Sequence, residues 1–169
     1  MPDTFTLIAS STVGAGGAAS IDFTSIPSTY TDLVLKVSAR SNTARASSGY
    51  YYQMTINGST ANQSTRYANG NGSAASSGTF SRLFGYVAPS DYTTSTFSSD
   101  DWYFPNYAGS TNKSASGDLT NENNATLSDM NLLAGLWSQT AAITSISIAP
   151  AGGSFVQYST AYLYGVKNA

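Results

Sequence analysis

Apolar and polar side chains alternate with a period of two residues along most of this chain, and that alternation predicts β-strands. From Leu33 to Arg40, the residues Leu33, Leu35, Val37 and Ala39 fall on one side and Lys36, Ser38 and Arg40 on the other, as in a strand with one buried face. Tyr50 to Asn57 repeats the arrangement. Tyr50, Tyr52, Met54 and Ile56 share a face, Tyr51, Gln53 and Thr55 share the other, and Asn57-Gly58 supplies the turn that follows. Phe80 to Phe84 alternates less cleanly. Further strand-like stretches are Thr4 to Ala9, Ala19 to Phe23, Ser64 to Ala68, Asp101 to Pro105, Lys113 to Leu119, Ile143 to Ala149 and Ser159 to Val166. No long segment carries a helical stripe.

Glycine, serine, asparagine and proline cluster between these stretches, at 13–18, 41–49, 69–78, 89–96, 107–112 and 149–153, as turns and loops require. Short strands with this punctuation predict an all-β fold, an antiparallel β-sandwich of jelly-roll type. Its expected core is Leu33, Leu35, Val37, Tyr52, Met54, Ile56, Ile146 and Ile148. At 169 residues the chain reads as a single domain, residues 1–169, with residues 1–17 forming an extended N-terminal arm and a glycine-rich hinge. One segment departs from the alternation. Met130 to Trp137 is apolar on both faces, which fits a strand covered on two sides, a short helix, or a strand whose burial another subunit completes. The first of these is the favoured expectation.

Composition narrows the function. The chain has no histidine and no cysteine, a single glutamate, Glu122, and only 9% charged residues. Proton transfer at neutral pH usually recruits histidine, a tuned carboxylate or a thiolate. Two of the three are missing, so a binding or assembling protein is expected and not an enzyme, with no cofactor. A net charge of −2 and scattered basic residues offer no footprint for nucleic acid. No apolar run is long enough for a membrane span, and the first residues lack the basic and apolar regions of a signal peptide.

Asp100, Asp101, Asp118 and Glu122 are the acids to consider for calcium or acid–base chemistry. A calcium site needs six or more oxygens and a glycosidase two facing carboxyls. Neighbouring strand residues point to opposite faces, so Asp100 and Asp101 are no facing pair, and the group reads as solvated loop acids and strand-end gatekeepers, with no metal site. Gly14-Ala15-Gly16-Gly17 lacks the Lys-Ser/Thr ending of a phosphate-binding loop and reads as a turn. Tyr51 and Tyr103 each face away from their aromatic neighbours. They are the candidate contacts for a glycan or a protein partner, although sheet packing is the commoner role for tyrosine.

Four stretches resemble a family of small virion proteins of tailed bacteriophages that infect marine and freshwater bacteria, cyanophages included. They run from Phe5-Thr-Leu-Ile-Ala-Ser-Ser to Thr31-Asp-Leu-Val, and through Pro105-Asn-Tyr-Ala-Gly-Ser-Thr-Asn-Lys-Ser, Glu122-Asn-Asn-Ala-Thr and Ala134-Gly-Leu-Trp-Ser-Gln-Thr-Ala-Ala-Ile-Thr-Ser-Ile. The ending Gln157-Tyr-Ser-Thr-Ala-Tyr-Leu-Tyr-Gly-Val is similar to that family's closing strand; residues 41–96 match no pattern. The resemblance implies a non-catalytic structural protein made in the host cytoplasm and carried on the virion. The expected role is a capsid decoration or cement protein that binds the major capsid protein as a homotrimer. Its expected interface is Phe5, Leu7 and Ile8 of the arm, with Leu132, Leu133, Leu136 and Trp137. The alternatives are a tail-fibre or receptor-binding module for host surface glycan, a non-viral carbohydrate-binding module and, last, a glycan hydrolase using Asp118 and Glu122.

Overall fold

A computed structural model describes residues 4–124 and 128–167. The strands are β1 (Phe5–Thr12), β2 (Ile21–Phe23), β3 (Asp32–Ser38), β4 (Tyr51–Ile56), β5 (Gln63–Gly70), β6 (Ala75–Phe80), β7 (Phe84–Tyr86), β8 (Ser99–Phe104), β9 (Lys113–Glu122), β10 (Ser128–Trp137), β11 (Ile146–Pro150) and β12 (Thr160–Val166). They form an eight-stranded sheet ordered β1-β12-β3-β8-β9-β10-β5-β6 and a four-stranded sheet ordered β2-β11-β4-β7. Every pairing between these strands is antiparallel. The expected all-β sandwich is present. Its pairs nest from the ends of the chain inward: β1 with β12, β2 with β11, β3 with β8 and β4 with β7. Two hairpins, β5–β6 and β9–β10, interrupt that scheme and double the width of the larger sheet.

The period-two pattern works because each sheet has one face toward a shared core. Leu33, Leu35, Val37, Tyr52, Met54, Ile56, Ile146 and Ile148 are all buried there, with Trp102, Phe104 and Phe155. Trp102 stacks on Phe104 at 6.0 Å between centroids, and its indole nitrogen donates to the Tyr52 hydroxyl across the sandwich at 3.1 Å. Gly85, opposite Tyr52 in the register of β4 and β7, leaves room for that tyrosine; a Cβ at Gly85 would collide with its ring.

Three expectations need correction. The first is the arm: Phe5–Thr12 is no free extension but the edge strand β1, paired with β12 from Phe5↔Val166 to Thr12↔Thr160. The backbone groups on one side of it, which a free arm would leave to a partner, are already spent on β12. Residues 14–17 make a turn closed by the Gly17 N–H to Gly14 C=O bond at 3.0 Å, as the sequence predicts for that motif, and not a hinge. The second is residues 69–78, read as a loop: β5 runs on to Gly70 and β6 begins at Ala75, because Asn71 closes a tight turn by accepting from the Ser73 and Ala74 amides. The third is Met130 to Trp137, a strand covered on one side only. Leu133 and Trp137 are core, whereas Met130, Leu132 and Leu136 face solvent.

The four-stranded sheet ends in β7, and the larger sheet wraps past that edge. Tyr86 N–H and C=O would be left unpaired there, and burying them unpaired would cost about 1 to 3 kcal/mol each. Side chains of the larger sheet and of the segment before it take them up: Asp100 accepts from the Tyr86 amide at 2.6 Å and Ser98 donates to the Tyr86 carbonyl at 2.8 Å. Gln63 accepts from the Leu83 amide at 3.0 Å, Thr65 donates to the Arg82 carbonyl at 2.8 Å, and Asn121 donates to the Val87 carbonyl at 3.2 Å. Asp100 is therefore no solvated gatekeeper: it is 1% exposed. Burial pushes its carboxyl well above the usual carboxylate range, with the Tyr52 hydroxyl and Tyr86 amide opposing.

Two outcomes follow. A raised folded-state pKa means that the native protein holds the Asp100 proton longer than the unfolded chain. Stability from this group is then complete below the ordinary aspartate pKa of about 4 and falls as pH rises toward the folded value, by up to about 1.4 kcal/mol per pH unit. Urea unfolding between about pH 4 and pH 8 should show that decline, and Asp100→Asn should flatten it. Deleting residues 4–12 should lower the melting temperature and promote aggregation, because it bares the β12 edge and uncovers the core beneath Ile8; calorimetry and light scattering measure both.

Candidate functional site

Where the larger sheet wraps β7, aromatic side chains from two strand pairs meet. Tyr51 comes from β4, Phe84 and Tyr86 from β7, Tyr67 from β5 and Phe80 from β6, with Tyr50 preceding β4. They pack edge to face, from Tyr50–Tyr51 at 4.9 Å and Phe80–Phe84 at 5.2 Å to Tyr51–Phe84 at 6.5 Å. Such geometry sets positive ring edges against negative ring faces and locks the side chains. Between them lies an open cleft of about 260 Å³, also lined by Asn69, Ser76, Asp129 and Asn131.

The polar lining is organised around the Tyr86 hydroxyl, which accepts from Asn131 Nδ2 at 2.6 Å and Asn69 Nδ2 at 3.3 Å. Burial pushes that hydroxyl's pKa far up, with the Asp129 charge adding to the effect and Arg45 opposing it, so it stays a neutral donor and acceptor. Arg45 pairs with Asp129 at 2.5 Å, donates to the Tyr92 hydroxyl at 2.7 Å and lies 4.7 Å from the centre of the Tyr50 ring. The carboxylate is thereby neutralised. One group is unsatisfied: Asn131, 1% exposed, has an Oδ1 with no hydrogen-bond partner.

The opposite, outer face of the larger sheet forms a second surface. Cross-strand rows run Asp101, Asp118, Leu132, Ala68 and Tyr103, Ser116, Ala134, Arg66. Most of these side chains are small or short, and Leu132, 64% exposed, stands out of the sheet between two shallow hollows. Met130 and Leu136 flank it on the same strand, both solvent-facing.

The expected site residues separate accordingly. Leu132 and Leu136 lie on the outer face; Phe5 and Leu7 are exposed on β1 at the sheet's far edge; Ile8 packs against the core, and Leu133 and Trp137 belong to it. The Leu133 and Trp137 side chains are thus buried within the chain, and Ile8 is partly so. Tyr51 is half-buried in the cleft instead of facing water, while Tyr103 lies on the outer face, its hydroxyl donating to Asp32 at 2.7 Å. The two tyrosines cannot serve one site. Asp101 pairs with Lys36 at 2.7 Å and sits across from Asp118 on the open face, and Glu122 accepts from the Asn124 amide at 2.6 Å. Among the described residues no group of three or more acidic side chains is placed to hold a metal ion.

Asn131, Asn69, Tyr67 and Tyr86 were not singled out from the sequence. A signal for Asn131 existed. Asp129 and Asn131 share the parity of Leu133 and Trp137, so reading those two as buried puts two polar side chains on a core face. No protein-family model, curated protein or solved structure matches the chain.

Removing Arg45 while keeping Asp129 should leave a buried carboxylate unpaired. Arg45→Met should then cost about 3 kcal/mol in chemical denaturation, and adding Asp129→Asn should return much of it.

Proposed function

We propose that the protein is a non-catalytic structural component of a bacteriophage virion, a decoration protein that docks on the capsid through the outer face of its eight-stranded sheet. The observation that carries this reading is the surface around Leu132. Met130, Leu132 and Leu136 project from a field of small side chains that lets another surface approach closely. Exposed apolar side chains in such a setting mark contact sites. Strand order supports it as well. The nested pairs β1–β12, β2–β11, β3–β8 and β4–β7 suit one long hairpin rolled up on itself, and so favour the jelly-roll scheme found in many particle proteins. The hairpins β5–β6 and β9–β10 are then insertions that build the docking face.

The major capsid protein is the proposed partner, and a homotrimer at a lattice axis the proposed assembly. Contacts made by Phe5 and Leu7 come from an ordered edge strand, whose outer edge is open to a neighbour's strand. Leu132→Glu changes only a solvent-facing side chain. It should keep the melting temperature within a few degrees and lower occupancy on capsids at least about tenfold, as loss of a central contact of about 2 kcal/mol would. Imaging of particles with the labelled protein measures occupancy and position together. Copies confined to the tail would instead support the receptor-binding alternative.

A further inference from the structure

We propose that the aromatic cleft beside β7 is a binding site for an uncharged saccharide, recognised by the aromatic side chains that line it, Tyr51 and Tyr67 among them, and by the Asn131 amide. This site lies on the other side of β10 from the docking face, and it does not depend on that reading.

The chemistry follows from what the cleft offers and what it withholds. Six aromatic side chains, Tyr50, Tyr51, Tyr67, Phe80, Phe84 and Tyr86, supply apolar faces suited to the C–H faces of a pyranose ring. Asn131 supplies the polar contact. Its Oδ1 is buried and unpartnered while its Nδ2 is bonded to Tyr86; flipping the amide exchanges which atom is orphaned and does not remove the orphan. A buried amide atom without a partner costs stability, and because Asn131 lines the cleft, a ligand hydroxyl could satisfy it once the side chain turns toward that space. Asn69, Ser76 and the Tyr86 hydroxyl add neutral donors and acceptors around the same space.

Charged ligands fit poorly. No basic side chain lines the cleft, and neighbouring Arg45 is already committed to Asp129 and Tyr92, which leaves nothing to balance a phosphate or carboxylate. A quaternary ammonium would suit an aromatic cage. Here the Arg45 guanidinium already occupies the Tyr50 ring face and neutralises the one carboxylate that would hold a second cation. A wholly apolar ligand would leave Asn131 unsatisfied.

The test is titration calorimetry of the full chain with methyl glycosides of neutral hexoses and N-acetylhexosamines and their short oligomers. Choline, inorganic phosphate and sialic acid serve as charged probes. Two variants address the cleft: Ser76→Trp, which fills it from an exposed position on β6, and Asn131→Leu, which replaces the orphaned amide with an apolar group of similar size. Saturable binding of a neutral saccharide is expected, weakened about tenfold or more in both variants. Leu132→Glu should bind it like the unsubstituted protein, so failure of docking and failure of this site are told apart. Ser76→Trp decides the matter even if Asn131→Leu does not fold. Absence of binding by every neutral saccharide in the set, binding that survives Ser76→Trp, or saturation by choline or phosphate in their place would overturn the proposal.

Discussion

The free edge of β7 lies inside the protein, and the structure is built around satisfying it. A four-stranded sheet facing an eight-stranded one has to end somewhere under its wider partner, and there its backbone amides and carbonyls lose contact with water. Asp100 and Ser98 take up the Tyr86 amide and carbonyl, and Gln63, Thr65 and Asn121 take up those of Leu83, Arg82 and Val87 on either side of the strand. Each is a polar residue on a face that would otherwise be apolar. The cost appears in Asp100, whose carboxyl is held in a site that disfavours its charge, and in the Asp100, Asn121 and Asn131 oxygens that remain without partners.

The same mismatch in width creates both surfaces to which function is assigned. Beyond β7 the inner face of the larger sheet has no sheet opposite it, so aromatic side chains close the gap as a cluster and leave the cleft between them. On the outside the added hairpins extend a face of mostly short side chains, with Asp118 and Arg66 among them, from which Leu132 projects. β10 contributes to both proposed surfaces through simple alternation, with Asn131 facing inward and Leu132 outward.

Much of the core was legible because period-two alternation is a direct consequence of one buried sheet face. Leu33, Leu35 and Val37, or Tyr52, Met54 and Ile56, declare their side within a few residues. Three things were not legible. β1 looks like a free arm because an edge strand has only one partner, β12, some 150 residues away, and no local pattern reports that pairing. The apolar look of Met130 to Trp137 misleads because the outer leucines imitate core residues, while the inner Asp129, Asn131 and Gly135 are the ones buried or packed against it. Tyr51 belongs to the cleft only because distant β5 and β6 fold over it, and its own strand carries no mark of that. Alternation assigns a side; it does not say what covers that side.

Docking is proposed on one face of β10, which leaves the cleft on the other face free. Oxidative footprinting of the protein, compared between the isolated chain and the same chain on purified phage particles, reads both faces at once, since methionine and tyrosine are readily modified where exposed. Met130, 58% exposed in the isolated chain, is predicted to become protected on the particle while Tyr50 and Tyr51 keep their reactivity. Protection of the cleft tyrosines with Met130 still reactive would contradict the account.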